Sequence, residues 1–146
     1  MRSLHDASYR AQLVQRVQAL QPDTARRWGK MSVDQMLWHV SDALAAAIGE
    51  LSAQPAKPPL PRGLLKFMVL NMPWGKNAPT MPQFVARQNY DFEAERTRCL
   101  RLIDRVGSMD VDGEWPAHPM LGRMKGSEVS RLQAKHLHHH LTQFGV

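Results

Sequence analysis

Apolar residues recur at three- and four-residue steps in three long stretches of the chain, and this spacing is typical of amphipathic helices. The first stretch covers residues 6–21 and ends before Pro22, and the second covers residues 33–51. A later stretch covers residues 91–106 and is predicted to stop at Gly107, because glycine commonly follows the last turn of a helix. Three long helices are therefore predicted.

The second predicted helix has the clearest start signal. Ser32 precedes it and Gln35 follows three residues later, a capping-box arrangement in which each side chain can satisfy the other's backbone amide. A short apolar stretch at residues 64–70 predicts a further helix, and residues 127–144 predict the last one. Because no stretch alternates β-branched residues and no internal repeat appears, we predict an all-α fold.

Long connections separate these helices. Residues 52–62 contain four prolines, which withhold backbone donors and fix extended geometry, so a crossover loop is predicted there. Residues 108–122 form a second predicted loop, and residues 71–82 are rich in turn formers. Four substantial helices with two long connections favour a four-helix bundle whose loops gather over one end of the core.

Length and composition narrow the class of protein. The chain has 146 residues, of which 43% are hydrophobic, so residues 1–146 are predicted to form a single domain. The N-terminus lacks the apolar run of a signal peptide, and the apolar stretch at residues 43–48 is too short to span a bilayer. We therefore expect a cytoplasmic protein that does not enter the membrane. The single cysteine, Cys99, excludes a cysteine-rich metal cluster, and its place on an apolar helix face favours inert packing.

The net charge of +6 and the pI near 10 raise nucleic-acid binding as a hypothesis. Against it, the basic residues are scattered along the chain, without a dense run or a recognisable reading motif. A basic surface, or a site that attracts anionic small molecules, explains the charge equally well.

The histidines of the last predicted helix suggest a chemistry. On a helical wheel His136 and His140 lie on one side, together with Val129 and Gln143, whereas His138 lies opposite and is expected to face solvent. Imidazoles at positions i and i+4 are about 6 Å apart along the helix axis, so both can converge on one ion. The alternative interpretation is a pair of partly buried histidines satisfied by other groups.

A metal site needs at least one more ligand. His39 is the only other histidine on a strongly predicted core helix, although on its own it is more typical of a packing residue. Three neutral imidazoles leave a coordination position open to water, and a bound cation lowers the pKa of that water. The pattern therefore favours a catalytic site over a closed structural one.

Other groups receive weaker predictions. Gln143 is a candidate for orienting a ligand histidine, and Glu50 or Glu128 for an acid or base. No catalytic residue is assigned. Trp74 and the pair Trp115 and Met120 belong to the predicted loops, where they either line the mouth of a small-molecule site or cap the end of the bundle.

Three segments carry a resemblance to a known family. They are residues 28–39 (WGKMSVDQMLWH), residues 118–122 (HPMLG) and residues 135–145 (KHLHHHLTQFG). In order and spacing, over roughly residues 26–145, the chain resembles the DinB/YfiT-like superfamily, in particular its branch of small bacterial proteins without an assigned function. The resemblance implies a DinB/YfiT-like four-helix bundle with long crossover loops, and such proteins are often dimers.

The resemblance also implies a site. Members of that superfamily hold a divalent ion such as zinc or nickel through one histidine of the second helix and two of the last, which here are His39, His136 and His140. Some members are transferases or isomerases that use a low-molecular-weight thiol, and others are described as metal-dependent hydrolases. For His118, next to Pro119, a structural role in a turn is favoured over ligation.

Two classes of function follow. The first is a metal-dependent hydrolase or small-thiol-dependent transferase that acts on a small molecule. The second is a non-catalytic binding or stress-associated bundle with a vestigial histidine site. Nucleic-acid binding is a third, disfavoured hypothesis.

Overall fold

Five α-helices and one short 3₁₀ helix form the regular structure of residues 2–146, the part of the chain that the computed structural model describes. They are α1 (Ala7–Ala19), α2 (Val33–Ala47), α3 (Arg62–Asn71), the 3₁₀ helix Pro82–Phe84, α4 (Phe92–Ser108) and α5 (Gly126–Gln143). No strand occurs in this range, so the all-α prediction is confirmed. None of these helices combines the length and apolarity needed to cross a membrane.

Helices α1, α2, α4 and α5 surround one hydrophobic core. α2 packs against α4 and α5, α1 packs against the same two helices, and α3 lies against α5. The core is built from side chains with no measurable exposure, among them Leu13, Leu44, Leu102, Ile103 and Val106. The helix that carries His39 and the helix that carries the histidine pair therefore lie side by side.

The start of α2 follows the predicted capping box. The backbone N–H of Ser32 donates to Gln35 Oε1 over 3.0 Å. In the same turn, Asp34 Oδ2 accepts from the backbone N–H of Tyr90 at 2.7 Å. Because Tyr90 lies shortly after the 3₁₀ helix in the chain, this contact ties that segment to the helix that carries His39.

The end of α2 differs from the prediction. The helix stops at Ala47 rather than near Leu51, because Gly49 adopts a φ of +80°. This left-handed conformation reverses the chain and is readily adopted only by glycine. The prediction placed the end too late because Leu51 continues the apolar spacing although the backbone has already turned.

The prediction that Gly107 stops its helix was wrong. α4 continues through Gly107 to Ser108. A Cβ atom at position 107 would lie 2.6 Å from the Arg10 guanidinium, which donates to the Leu4 carbonyl over 2.6 Å. Glycine at this position therefore makes room for a side chain of α1 rather than ending a helix.

Replacing Leu137 with alanine tests the core beneath the histidine pair. Leu137 is 1% exposed and lies between His136 and His140 in the sequence, so its loss leaves a cavity. We expect the free energy of unfolding to fall by about 2–5 kcal/mol, measured by urea denaturation. The exposed Gln12→Ala in α1 serves as the control and should change it by less than about 0.5 kcal/mol. Equal values for both variants would contradict the described packing.

Candidate metal centre

The structure brings together the three histidines selected from the sequence. His39 of α2 meets His136 and His140 of α5, and one ring nitrogen from each lies within 4.8 Å of the others. The Nε2 atoms of His39 and His136 are 2.9 Å apart, and each pair of ring centroids is separated by 4.8 Å. Among the described residues 2–146 this is the one group of histidine, cysteine or carboxylate side chains with such spacing.

Local helix geometry explains this convergence. His136 and His140 are one turn apart on α5. Leu137 and Leu141, which each follow one of these histidines, are buried in the core. His39 and His140 are buried, while His136 is half-buried. His138 is exposed, as predicted for the opposite side of the helix.

A backbone carbonyl fixes the tautomer of His39. Its Nδ1 lies 2.8 Å from the carbonyl oxygen of Phe84, which can only accept a hydrogen bond. Nδ1 therefore carries the proton, and the Nε2 lone pair faces the other two histidines. A hydrogen bond of this kind from the non-ligating nitrogen is typical of metal-binding histidines.

Gln143 orients His140 in the same way. Gln143 Nε2 donates to the Trp28 carbonyl over 2.9 Å, so the amide oxygen faces His140 and accepts from its Nδ1 over 2.7 Å. This leaves the Nε2 of His140 free of a proton. The contact also explains Gly29, whose φ is +81° and whose Cβ, if present, would lie 2.5 Å from Gln143 Nε2. The structure thus places Gln143 where the sequence suggested.

Burial keeps all three imidazoles neutral. It lowers the pKa of His39, and it lowers the pKa of His136 well below the ordinary value, with further contributions from His140 and His39. The pKa of His140 falls to about 3, mainly through burial and secondly through His39. Neutral imidazole is the form that binds a metal ion. Three neutral nitrogen donors, two of them with their second nitrogen hydrogen-bonded, fit a divalent ion.

The two acidic residues considered as acid or base lie elsewhere. Glu50 is exposed and pairs with Arg101 at 3.0 Å. Glu128 lies in the first turn of α5, where it accepts from the Lys125 backbone N–H at 2.9 Å and pairs with Lys66 at 3.3 Å. Neither carboxylate joins the histidine group, so both suggestions are wrong. A sequence cannot reveal that both acids are already used by nearby cations.

Of the two tryptophans in the predicted loops, Trp74 lies beside the histidines and Trp115 packs at the start of α5. The Trp74 ring lies 5.9 Å from His136 and 5.6 Å from His139. Trp115 instead packs at the start of α5, where its Nε1 would collide with a Cβ atom at position 126. Met120 is half-buried in the turn of residues 118–122.

His118 has the structural role predicted for it. Its Nδ1 accepts hydrogen bonds from the backbone N–H groups of Met120 at 3.1 Å and of Leu121 at 3.0 Å. The turn is closed by hydrogen bonds between the backbones of His118 and Gly122 at 2.8 and 2.9 Å. Burial lowers the pKa of His118 to about 4, so this imidazole is also neutral.

Sequence reasoning missed two of the groups that surround the three histidines, the Phe84 carbonyl and the His139 ring. The Phe84 carbonyl lies 45 positions from His39, and no local pattern marks it. His139 lies beside the group, with its ring 5.1 Å from that of His140 and 5.9 Å from that of Trp28. Trp28 and Trp74 both lie near His139 in the fold, and these aromatic residues were the only sequence feature that could have indicated its surroundings.

Fold and site together define a helical protein with three converging histidines that could hold a metal ion. A family profile described as "Protein of unknown function (DUF1569)" matches residues 1–145, so the chain belongs to this family. Comparisons with curated proteins and with solved structures give no match. Because the family description names no reaction, function has to be inferred from the site itself.

Acidification tests the neutral state of the buried histidines. The unfolded chain takes up protons below about pH 6.5, whereas folded His118 and His140 do so only near pH 4 and pH 3, respectively. Their contribution to stability is therefore complete above about pH 6.5 and is lost as the pH falls toward these values, by up to about 1.4 kcal/mol per pH unit for each histidine. Urea denaturation in metal-free buffer at several pH values measures this slope.

The variant His118→Asn isolates one of these groups. Asparagine Oδ1 can still accept the turn's backbone N–H groups but does not titrate. The dependence of stability on pH between about 6.5 and 4 should become shallower in this variant. An unchanged slope would mean that His118 is protonated in the folded protein.

Proposed function

We propose that this chain is a metal-dependent enzyme whose ion is held by His39, His136 and His140. The observation that carries the proposal is the shared orientation of the group: Nε2 of His39 and Nε2 of His140 are both freed for an ion by hydrogen bonds at Nδ1. The third imidazole, His136, brings its Nε2 to 2.9 Å from the Nε2 of His39. At this distance an N–H of His136 can donate to the His39 lone pair, and a bound ion would replace that proton.

The open position beside a three-histidine ion favours catalysis over a purely structural role. A divalent ion there, zinc or nickel by the resemblance, would activate a water or a small thiol at neutral pH. The chain's own part is to present three neutral nitrogens, to hold His39 through Phe84 and His140 through Gln143, and to place Trp74 against His136. A hydrolase or a small-thiol-dependent transferase acting on a small molecule is therefore the proposed class.

We also propose that the fold is the DinB/YfiT-like four-helix bundle with crossover loops. In support, α1 and α2 each pack against α4 and α5. The non-helical segment 48–61 leads from α2 to α3, and the non-helical segment 109–125 leads from α4 to α5. The ligand set implied by that superfamily is the same trio that converges here. Pairing of two copies remains a prediction from the same resemblance.

The basic residues do not favour nucleic acid. Arg98 pairs with Asp42 at 2.7 Å. Arg16 donates to the Val146 carbonyl at 2.7 Å. Side chains engaged in this way hold helices and the chain end together, which reduces the charge available for phosphates.

Metal content of the untagged protein tests the proposal. We expect the wild type to bind about one divalent ion, and His136→Ala/His140→Ala to lose at least about 100-fold in affinity, since two of three ligands are removed. Isothermal titration with Zn²⁺ or Ni²⁺ measures this.

The matched control is His138→Ala, which removes an exposed histidine from the same helix and should leave ion affinity unchanged. Equal affinity in the double variant and in the control would remove the proposed site. Ion binding without any turnover over a screen of thiols, esters and amides would instead favour the non-catalytic alternative.

A further inference from the structure

A cavity of about 490 Å³ opens to solvent where the segment before α2 meets the end of α5. Its wall consists of residues 22–29, Ser32, Val33 and Phe144. None of the three histidines belongs to this wall, so the cavity is separate from the candidate metal centre. A volume of this size is typical of a site for a small organic molecule.

Two adjacent arginines of the wall are held in place by the chain rather than by an acid. Arg26 Nε donates to the Gly29 carbonyl over 3.0 Å, so the outer N–H groups of its guanidinium are left for another acceptor. The Arg27 guanidinium packs against Gly145, where its Nε would lie 3.0 Å from a Cβ atom. Both side chains are exposed, and neither forms an ion pair with a carboxylate of residues 2–146. The cavity thus presents two guanidinium groups that lack a counter-ion in the described chain.

The charges around this cavity are mostly positive. Lys76 Nζ lies 5.3 Å from the centroid of the Trp28 ring and forms no ion pair within the described part of the chain. Asp23 is the one acid of the wall, and it pairs with neither arginine. Three cations against one carboxylate leave an excess of positive charge, which attracts an anion. This excess accounts for part of the net charge of +6, which the metal site does not explain.

Planar guanidinium groups bind the oxygens of an anion through pairs of parallel hydrogen bonds. Two of them suit a phosphate monoester, which carries close to two negative charges at neutral pH. Pro22, Val33 and Phe144 add apolar groups to the wall, where the organic part of such a ligand would lie. We propose that this cavity binds a small phosphate monoester, with Arg26 and Arg27 on the phosphate oxygens. The inference goes beyond the metal-dependent function and does not depend on it.

Phenyl phosphate is the probe, and phenyl sulfate, which has a similar shape but one negative charge less, is the comparison. Isothermal titration of the untagged protein measures both affinities, first in buffer with a chelator and then after loading with Zn²⁺. We expect phenyl phosphate to bind at one site per chain, at least about tenfold more tightly than phenyl sulfate, because two guanidinium groups face the additional charge. Binding should not require the ion. Inorganic phosphate, measured with the chelator, should bind more weakly because it leaves the apolar part of the wall uncovered.

Substitution of the two arginines locates the ligand. Arg26→Gln and Arg27→Gln should each lower phenyl phosphate affinity about tenfold, and the double variant at least about 100-fold, because charge-assisted hydrogen bonds are lost. Arg123→Gln is the matched control, since it removes one positive charge from an exposed arginine outside the wall and should leave the affinity unchanged. The indole ¹H–¹⁵N resonance of Trp28, assigned with Trp28→Phe, should shift when phenyl phosphate is added to the wild type but not to the double variant.

The outcomes separate this inference from the metal proposal. Absence of saturable phenyl phosphate binding to the wild type would overturn the inference, as would equal affinities of the arginine variants and Arg123→Gln. Binding only after Zn²⁺ loading would place the phosphate at the ion and would also overturn it. Inorganic phosphate that binds as tightly as phenyl phosphate would contradict a site for a monoester. A protein that binds phenyl phosphate as expected but binds no Zn²⁺ would remove the proposed function and leave this inference standing.

Discussion

The site depends on three uncharged imidazoles that pack against one another, two of them buried and one half-buried. Burial and the neighbouring rings both lower the pKa of His136, whose Nε2 lies 2.9 Å from the Nε2 of His39. The group therefore disfavours a histidine cation. Neutrality alone does not choose the tautomer. The Phe84 carbonyl and the Gln143 amide do so for His39 and His140, by holding the protons on the outer nitrogens. The lone pairs are thereby left facing inward.

Several features of the chain follow from this requirement. Gly29 is needed because its neighbour's carbonyl holds Gln143, whose amide would collide with a Cβ at that position. The contact between Asp34 and Tyr90 fixes the segment that delivers the Phe84 carbonyl. Trp28 and Gly29 before α2 and Gln143 at the end of α5 thus act together to orient His140, although Trp28 and Gln143 are 115 positions apart.

The sequence predicted the helices and the three histidines because both depend on local spacing. Turns of 3.6 residues place His136 with His140, and the capping box at Ser32 fixes the register of the helix that bears His39. What could not be predicted was set by contacts between distant segments. Gly107 makes room for the Arg10 side chain and does not end its helix. Glu50 forms an ion pair with Arg101 and does not join the histidine group. Trp115 packs against the start of α5. The spacing of apolar residues along a helix gives no information about such contacts between distant segments.

X-ray absorption at the metal edge of the Zn²⁺-loaded, untagged protein tests the account most directly. Multiple-scattering analysis counts imidazole ligands and gives their distances. The account predicts three imidazole nitrogens at about 2.0–2.1 Å and one further light-atom ligand from solvent. One imidazole or none, or a sulfur ligand from Cys99, would contradict it.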